Sequence, residues 1–81
     1  MNELLTMSDF FDATMRTEGY IVIYDTARSP QLAHPRFCPS VQAEHFKEKV
    51  VQNKARSGRY YWVATMSEAR EAFGAVPCSC S

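Results

Sequence analysis

Three prolines lie within fifteen residues of this 81-residue chain, in the segment TARSPQLAHPRFCPS at 26–40. Proline removes a backbone donor and restricts the residue before it, so Pro30, Pro35 and Pro39 predict a segment without a regular helix or strand. A loop of this length is uncommon in so small a domain, and such loops are usually functional or held by other groups. The sequence therefore predicts a long central loop that needs an anchor.

The segment before this loop contains the clearest strand. Residues 20–24, YIVIY, are short, apolar and rich in β-branched and aromatic side chains, and Gly19 and Asp25 bound them. Because both of its faces are apolar, we expect a central or well-covered strand.

Two pairs of residues have the spacing of a helix-capping box. Thr6 and Asp9 predict a helix that ends near Gly19, and its few apolar positions suggest that residues 1–18 dock loosely. Thr65 and Glu68 predict a second helix over 66–73, which ends where glycine occupies position 74. Ser40 can cap a third, short helix over 41–46.

The segment 47–64 permits two interpretations. EKVVQN and RYYWVAT are β-prone runs on either side of a polar stretch that contains Gly58, which favours a hairpin with a longer loop. The alternative is a helix that continues to about Gln52, since Ala43, Phe46 and Val50 share a helical face. We take the hairpin as the prediction, and the fold class is then α+β. It is a single domain (1–81) with a small three-stranded, mainly antiparallel sheet and two or three short helices.

Composition excludes several classes of protein. Hydrophobic residues make up 46% and charged residues 22%, as in ordinary globular domains. No apolar run approaches the roughly 20 residues of a membrane span, and the first residues lack the basic and apolar regions of a signal peptide. With an odd number of cysteines, the chain is expected in a reducing compartment, the cytoplasm, where its cysteines are thiols or ligands.

Charge is unevenly distributed, although the formal net charge is zero. Residues 1–27 carry five acids and one base, whereas residues 28–59 carry seven bases and two acids. Such asymmetry marks either an anion-facing surface or an ordinary solvated rim. If the row of Tyr61 lies open beside these bases, the strand presents aromatic and basic groups suited to nucleic acid, although both rows can also be core. The predicted partner-binding residues are Arg36, Lys54, Arg56, Arg59 and Tyr61.

Four residues form a candidate Cys3His zinc site. His34 and Cys38 lie in the proline-rich loop, and Cys78 and Cys80 lie at the end of the chain. Structural zinc sites are commonly built from two local pairs of ligands that join distant segments of the chain. A domain this small has a limited core, so such a cross-link adds stability that it needs. The alternatives are a buried Cys38 with incidental tail cysteines, and a redox role for the C-x-C pair.

The loop, the aromatic strand, the helix SEAREAFGA and the terminal cysteines resemble small bacterial zinc modules of the type found in Ada DNA-repair proteins. The resemblance covers residues 34–80, with His34 in place of one family cysteine and C-x-C in place of the closing C-x2-C. It implies a zinc-held fold that works near nucleic acid.

No catalytic signature stands out. His45 and its charged neighbours are typical of a solvated helix face, and Cys38 with His34 has no visible third group or oxyanion signature. We therefore predict a non-enzymatic binding module, zinc-stabilised, whose partner is nucleic acid or an acidic protein surface, with no small-molecule substrate. The alternative is a metal-free protein-interaction factor, an inhibitor or adaptor of phage or mobile-element type.

Overall fold

A computed structural model of the chain describes residues 1–16, 18–25, 31–35, 38, 41–54 and 58–78. The strands are β1 (Asn2–Leu4), β2 (Tyr20–Asp25), β3 (Leu32–His34), β4 (Gly58–Val63) and β5 (Val76–Pro77). The helices are α1 (Met7–Met15), α2 (Ala43–Phe46), which continues as a π-helix (Lys47–Gln52), and α3 (Met66–Phe73).

The strands form one mixed sheet in the order β1-β4-β2-β3-β5. Strands β2 and β4 are its centre and pair antiparallel along their whole length, from Tyr20 opposite Val63 to Asp25 opposite Gly58. Strands β1 and β3 extend this pair antiparallel on either side, and β5 adds to β3 in parallel. The predicted central position of β2 is confirmed.

One face of the sheet packs against α1, α2 and the π-helix. Phe46 is fully buried there, with its ring stacked on Phe10 at 4.7 Å and edge-on to Tyr60 at 5.0 Å. Aromatic pairs of this geometry contribute about 0.5–1.5 kcal/mol beyond the area they bury. The buried members of this cluster are Leu4, Phe10, Ala13, Ile21, Phe46, Val50 and Tyr60.

The other face packs against α3. Its buried members are smaller: Val22, Ala33, Val63, Ala69 and Ala75. Helix α3 has the predicted bounds, and its first turn is capped by the Thr65 hydroxyl, which accepts a hydrogen bond from the Glu68 amide at 3.1 Å. Gly74 ends the helix in the left-handed conformation (φ 63°), as glycine permits.

The sheet has five strands, so the predicted count of three is wrong, although the α+β class is confirmed. One missed strand, β3, lies inside the segment predicted to be irregular. Its three residues fall between Pro30 and Pro35, so neither proline interrupts it. The others, β1 and β5, are edge strands of three and two residues.

The predicted hairpin over 47–64 is also wrong, because its first half is helical. The alternative, a helix to about Gln52, is correct. Burial of Phe46 and Val50 on one helical face decides the outcome, since both join the aromatic cluster. The helix begins at Ala43, after Gln42; the predicted cap, Ser40, lies outside the described residues.

Helix α1 has the predicted capping box, with the Thr6 hydroxyl bonded to the Asp9 amide and the Asp9 carboxylate to the Thr6 amide. It ends at Met15 rather than near Gly19. Beyond it the Trp62 ring lies against the chain: the Arg16 guanidinium lies 4.4 Å from the centre of the ring, and the indole N–H donates to the Glu18 carbonyl.

Candidate functional site

The parallel pairing of β3 with β5 brings two of the predicted ligands together. Leu32 pairs with Val76 and Ala33 with Pro77, so His34 and Cys78 are the next residues along the two strands. The Cys78 amide donates to the Ala33 carbonyl at 2.9 Å, which fixes the backbone at this point. Position 78 is therefore held beside β3 although it lies near the end of the chain.

Two backbone hydrogen bonds position Cys38 near the same strand ends. Its amide donates to the Pro35 carbonyl at 3.0 Å, and its carbonyl accepts from the Val41 amide at 2.9 Å. These bonds return the chain towards the end of β3, where the sulfur of Cys38 faces His34. The side chains of His34 and Cys38 are buried, at 3% and 2% exposure, and Cys78 is half-buried.

Two separations in this cluster can be compared with those between the ligand atoms of a tetrahedral metal site. With Zn–S bonds of about 2.3 Å and Zn–N bonds of about 2.0 Å, two sulfurs lie about 3.8 Å apart, and a sulfur and a nitrogen about 3.5 Å apart. Cys38 Sγ lies 3.8 Å from Cys78 Sγ and 3.4 Å from His34 Nδ1. Ligand atoms of all three residues lie within 4.8 Å of one another. These residues are therefore close enough to hold a metal ion; Cys80, the predicted fourth ligand, lies outside the described residues.

The oxidation state of Cys38 bears on this site. Cys38 is disulfide-bonded in the structure, whereas Cys78 carries a thiol. Since zinc binds thiolates, Cys38 must be reduced before the three residues can bind a metal ion together.

The predicted partner-binding residues are distributed over the chain. Lys54 is exposed just after the π-helix, with a positive φ of 54°. The Arg59 side chain is 54% exposed and lies 3.8 Å from the Glu3 carboxylate. Such exposed ion pairs contribute about 1 kcal/mol at most. Tyr61 is half-buried, and Arg36 and Arg56 lie outside the described residues.

Two aromatic side chains that were not predicted, Phe73 and Tyr24, lie on the same side of the sheet as Tyr61. Its ring centre is 4.7 Å from that of Phe73, and Phe73 is 6.1 Å from Tyr24. All three are half-buried. Arg59 lies opposite Tyr24 in the sheet and points to the same face as Tyr61. We call Tyr24, Arg59, Tyr61 and Phe73 the aromatic–basic surface. The alternation Tyr20, Val22, Tyr24 was the signal that could have located Tyr24.

The chain matches no family model, no curated protein and no solved structure. The resemblance to Ada-type modules therefore stays an expectation. Across the parts of the chain that the structure describes, helices are too short or too polar to cross a bilayer.

Proposed function

We propose that this chain is a zinc-stabilised, non-enzymatic binding module. The observation that carries the proposal is that Cys38 Sγ lies 3.8 Å from Cys78 Sγ and 3.4 Å from His34 Nδ1, close to the edges of a zinc tetrahedron. Metal at this point would join β3, Cys38 and the residue that follows β5. A buried histidine and a buried cysteine favour a structural site, because structural zinc is closed to substrate. Burial also argues against Cys38 as a nucleophile.

Metal analysis of the reduced chain tests the zinc site. The full chain is purified in a thiol reductant, incubated with zinc and freed of excess metal before elemental analysis. We expect about one zinc per chain, and loss of zinc and of thermal stability in Cys78→Ser. His45→Ala is the matched control, since His45 is the second histidine of the chain and is exposed. A reduced chain without zinc, with Cys78→Ser as stable as the parent, would contradict the proposal.

The partner that the surface fits best is single-stranded nucleic acid. Half-buried rings of Tyr24, Tyr61 and Phe73 offer π-faces, and Arg59 adds a cation at the same face. Base–aromatic stacking together with Arg contacts is the usual basis of binding without sequence readout. An acidic protein surface is the second partner class that these cations favour.

Binding of a fluorescent single-stranded oligonucleotide, measured by anisotropy at several salt concentrations, tests this partner. We expect Arg59→Gln to weaken binding and to reduce the salt dependence by about one ion. Tyr61→Leu should weaken it by about 1–3 kcal/mol, whereas Tyr61→Phe retains a ring and should bind normally. Lys47→Gln is the control, since Lys47 is exposed on the helix that packs against the opposite sheet face. Equal effects of Arg59→Gln and Lys47→Gln would refute a specific surface.

A metal-free protein-interaction factor is the second candidate, and the exposure of α1 favours it. Phe11 and Met15 are one helical turn apart and are 48% and 76% exposed. A contiguous exposed apolar patch marks a contact surface for another protein, and these two side chains would form its centre. This candidate predicts a protein complex whose affinity is insensitive to salt and is lost in the double substitution Phe11→Ser and Met15→Ser. It also predicts no metal in the reduced chain.

A further inference from the structure

The sulfur of Cys38 occupies two roles that exclude each other. It lies at zinc-ligand distances from His34 and Cys78, and it is disulfide-bonded in the structure. A disulfide sulfur has no thiolate charge to offer a metal, so a chain with oxidised Cys38 loses a central member of the cluster. We propose that the redox state of Cys38 controls metal occupancy: the reduced thiolate holds zinc, and oxidation to a disulfide releases it. This inference rests on the proposed zinc site.

Burial determines where oxidation begins. Cys38 is 2% exposed, so a dissolved oxidant has little access to its sulfur, whereas Cys78 is half-buried and lies 3.8 Å away. Exposure and thiolate character together set the susceptibility of a cysteine. Cys78 is therefore the entry point, and Cys38 is the second thiolate, already next to it.

The reaction balances with hydrogen peroxide as the oxidant. The Cys78 thiolate attacks one peroxide oxygen, the O–O bond breaks, and Cys78 sulfenic acid and hydroxide form. The Cys38 thiolate then attacks the Cys78 sulfur and displaces a second hydroxide, which leaves a Cys38–Cys78 disulfide. Two electrons have passed from the sulfurs to peroxide, both hydroxides take up protons, and the zinc ion leaves. A dithiol reverses the reaction by exchange and becomes a disulfide itself.

The Cys38–Cys78 disulfide joins the same two residues that zinc joined, so the cross-link between Cys38 and the residue after β5 is kept. We therefore expect oxidation to release the metal while the chain stays folded.

Stepwise oxidation of the zinc-loaded chain tests this inference. Released zinc is followed with a chromogenic chelator, thiols with an aromatic disulfide reagent, and folding by circular dichroism and the fluorescence of Trp62. We expect one zinc to be released for each two thiols lost, a mass lower by two hydrogens, retained fold, and recovery of zinc binding after treatment with a dithiol.

Three results would overturn the inference. If zinc is retained after the thiols are lost, metal occupancy does not depend on cysteine oxidation. Zinc released only with a gain of oxygen mass would indicate irreversible damage in place of a disulfide. A reduced chain that takes up no zinc would overturn this inference together with the proposed zinc site, whereas the first two results leave that site intact.

Discussion

Replacing Gly19 with alanine tests how closely the backbone packs against Trp62. Gly19 has a φ of +96°, and a Cβ at this position would lie 2.4 Å from the indole Nε1 and 2.6 and 2.7 Å from two ring carbons. No real Cβ contact is this short, so the ring must move. Gly74 is a matched control: its φ is +63°, but a Cβ there would meet nothing within 4 Å.

The two variants are expected to lose different amounts of folding stability. Gly74→Ala should lose about 1–2 kcal/mol from left-handed strain alone. Gly19→Ala has comparable strain, and displacement of Trp62 also breaks its hydrogen bond to the Glu18 carbonyl and its contact with Arg16. The hydrogen bond contributes about 0.5–1.5 kcal/mol, and the cation–π contact with Arg16 contributes about 0.5–1 kcal/mol. We therefore expect Gly19→Ala to lose about 3 kcal/mol, a large fraction of the stability of a domain this size.

Urea denaturation followed by tryptophan fluorescence measures both variants, because Trp62 is the sole tryptophan of the chain. Gly19→Ala should also shift the emission of the native state, since the indole moves, whereas Gly74→Ala should not. Equal losses of stability in the two variants, with an unchanged native emission spectrum in Gly19→Ala, would refute the close approach.

Three further predictions concern the core and the helices. Phe46→Ala removes the ring between Phe10 and Tyr60 and should lower the free energy of unfolding by about 3–5 kcal/mol, measured by urea denaturation; a loss below 1 kcal/mol would contradict the packing. Thr65→Ala removes the hydroxyl that caps α3 and should lower the free energy of unfolding by about 1 kcal/mol. Thr65→Ser keeps the hydroxyl and is the control. Burial raises the pKa of Tyr60. Stability should therefore be unaffected below the ordinary tyrosine pKa and fall as the pH rises through the raised value, because the unfolded state loses its proton first. Tyr60→Phe should lessen this alkaline loss, and urea midpoints compared at neutral and alkaline pH would measure it.

Local signals determined which elements could be predicted. Helix α3 was predicted with correct bounds because its cap, Thr65, and its stop, Gly74, are both sequence-local. The segment at 47–52 was not, because its residues suit a strand or a helix equally. Phe46 and Val50 settle the choice through distant partners such as Tyr60, which sequence proximity does not reveal. Strand β5 was not predicted because it contains Pro77, which has no amide donor. An edge strand tolerates such a residue.

The candidate site was predictable in its residues but not in its construction. Spacing and residue type selected His34, Cys38, Cys78 and Cys80. The ligand atoms of the first three lie within 4.8 Å of one another, and Cys80 lies outside the described residues. The cause of that proximity, parallel pairing of β3 with β5, has no local signature. The aromatic–basic surface was predicted only in part, because Phe73 comes from α3 and reaches Tyr61 through the packing of that helix on the sheet.

The order of strands in the sheet has a consequence for folding kinetics. Except for β2 with β3, every paired strand meets a partner far away in the chain, and such non-local pairing slows folding. The β3–β5 pair has only two residues in register and follows α3 in the chain, so we expect it to form after the transition state. Contacts made after the transition state change the unfolding rate and leave the folding rate nearly constant. A ligand bound at this corner is therefore expected to lengthen the lifetime of the native state without accelerating its formation.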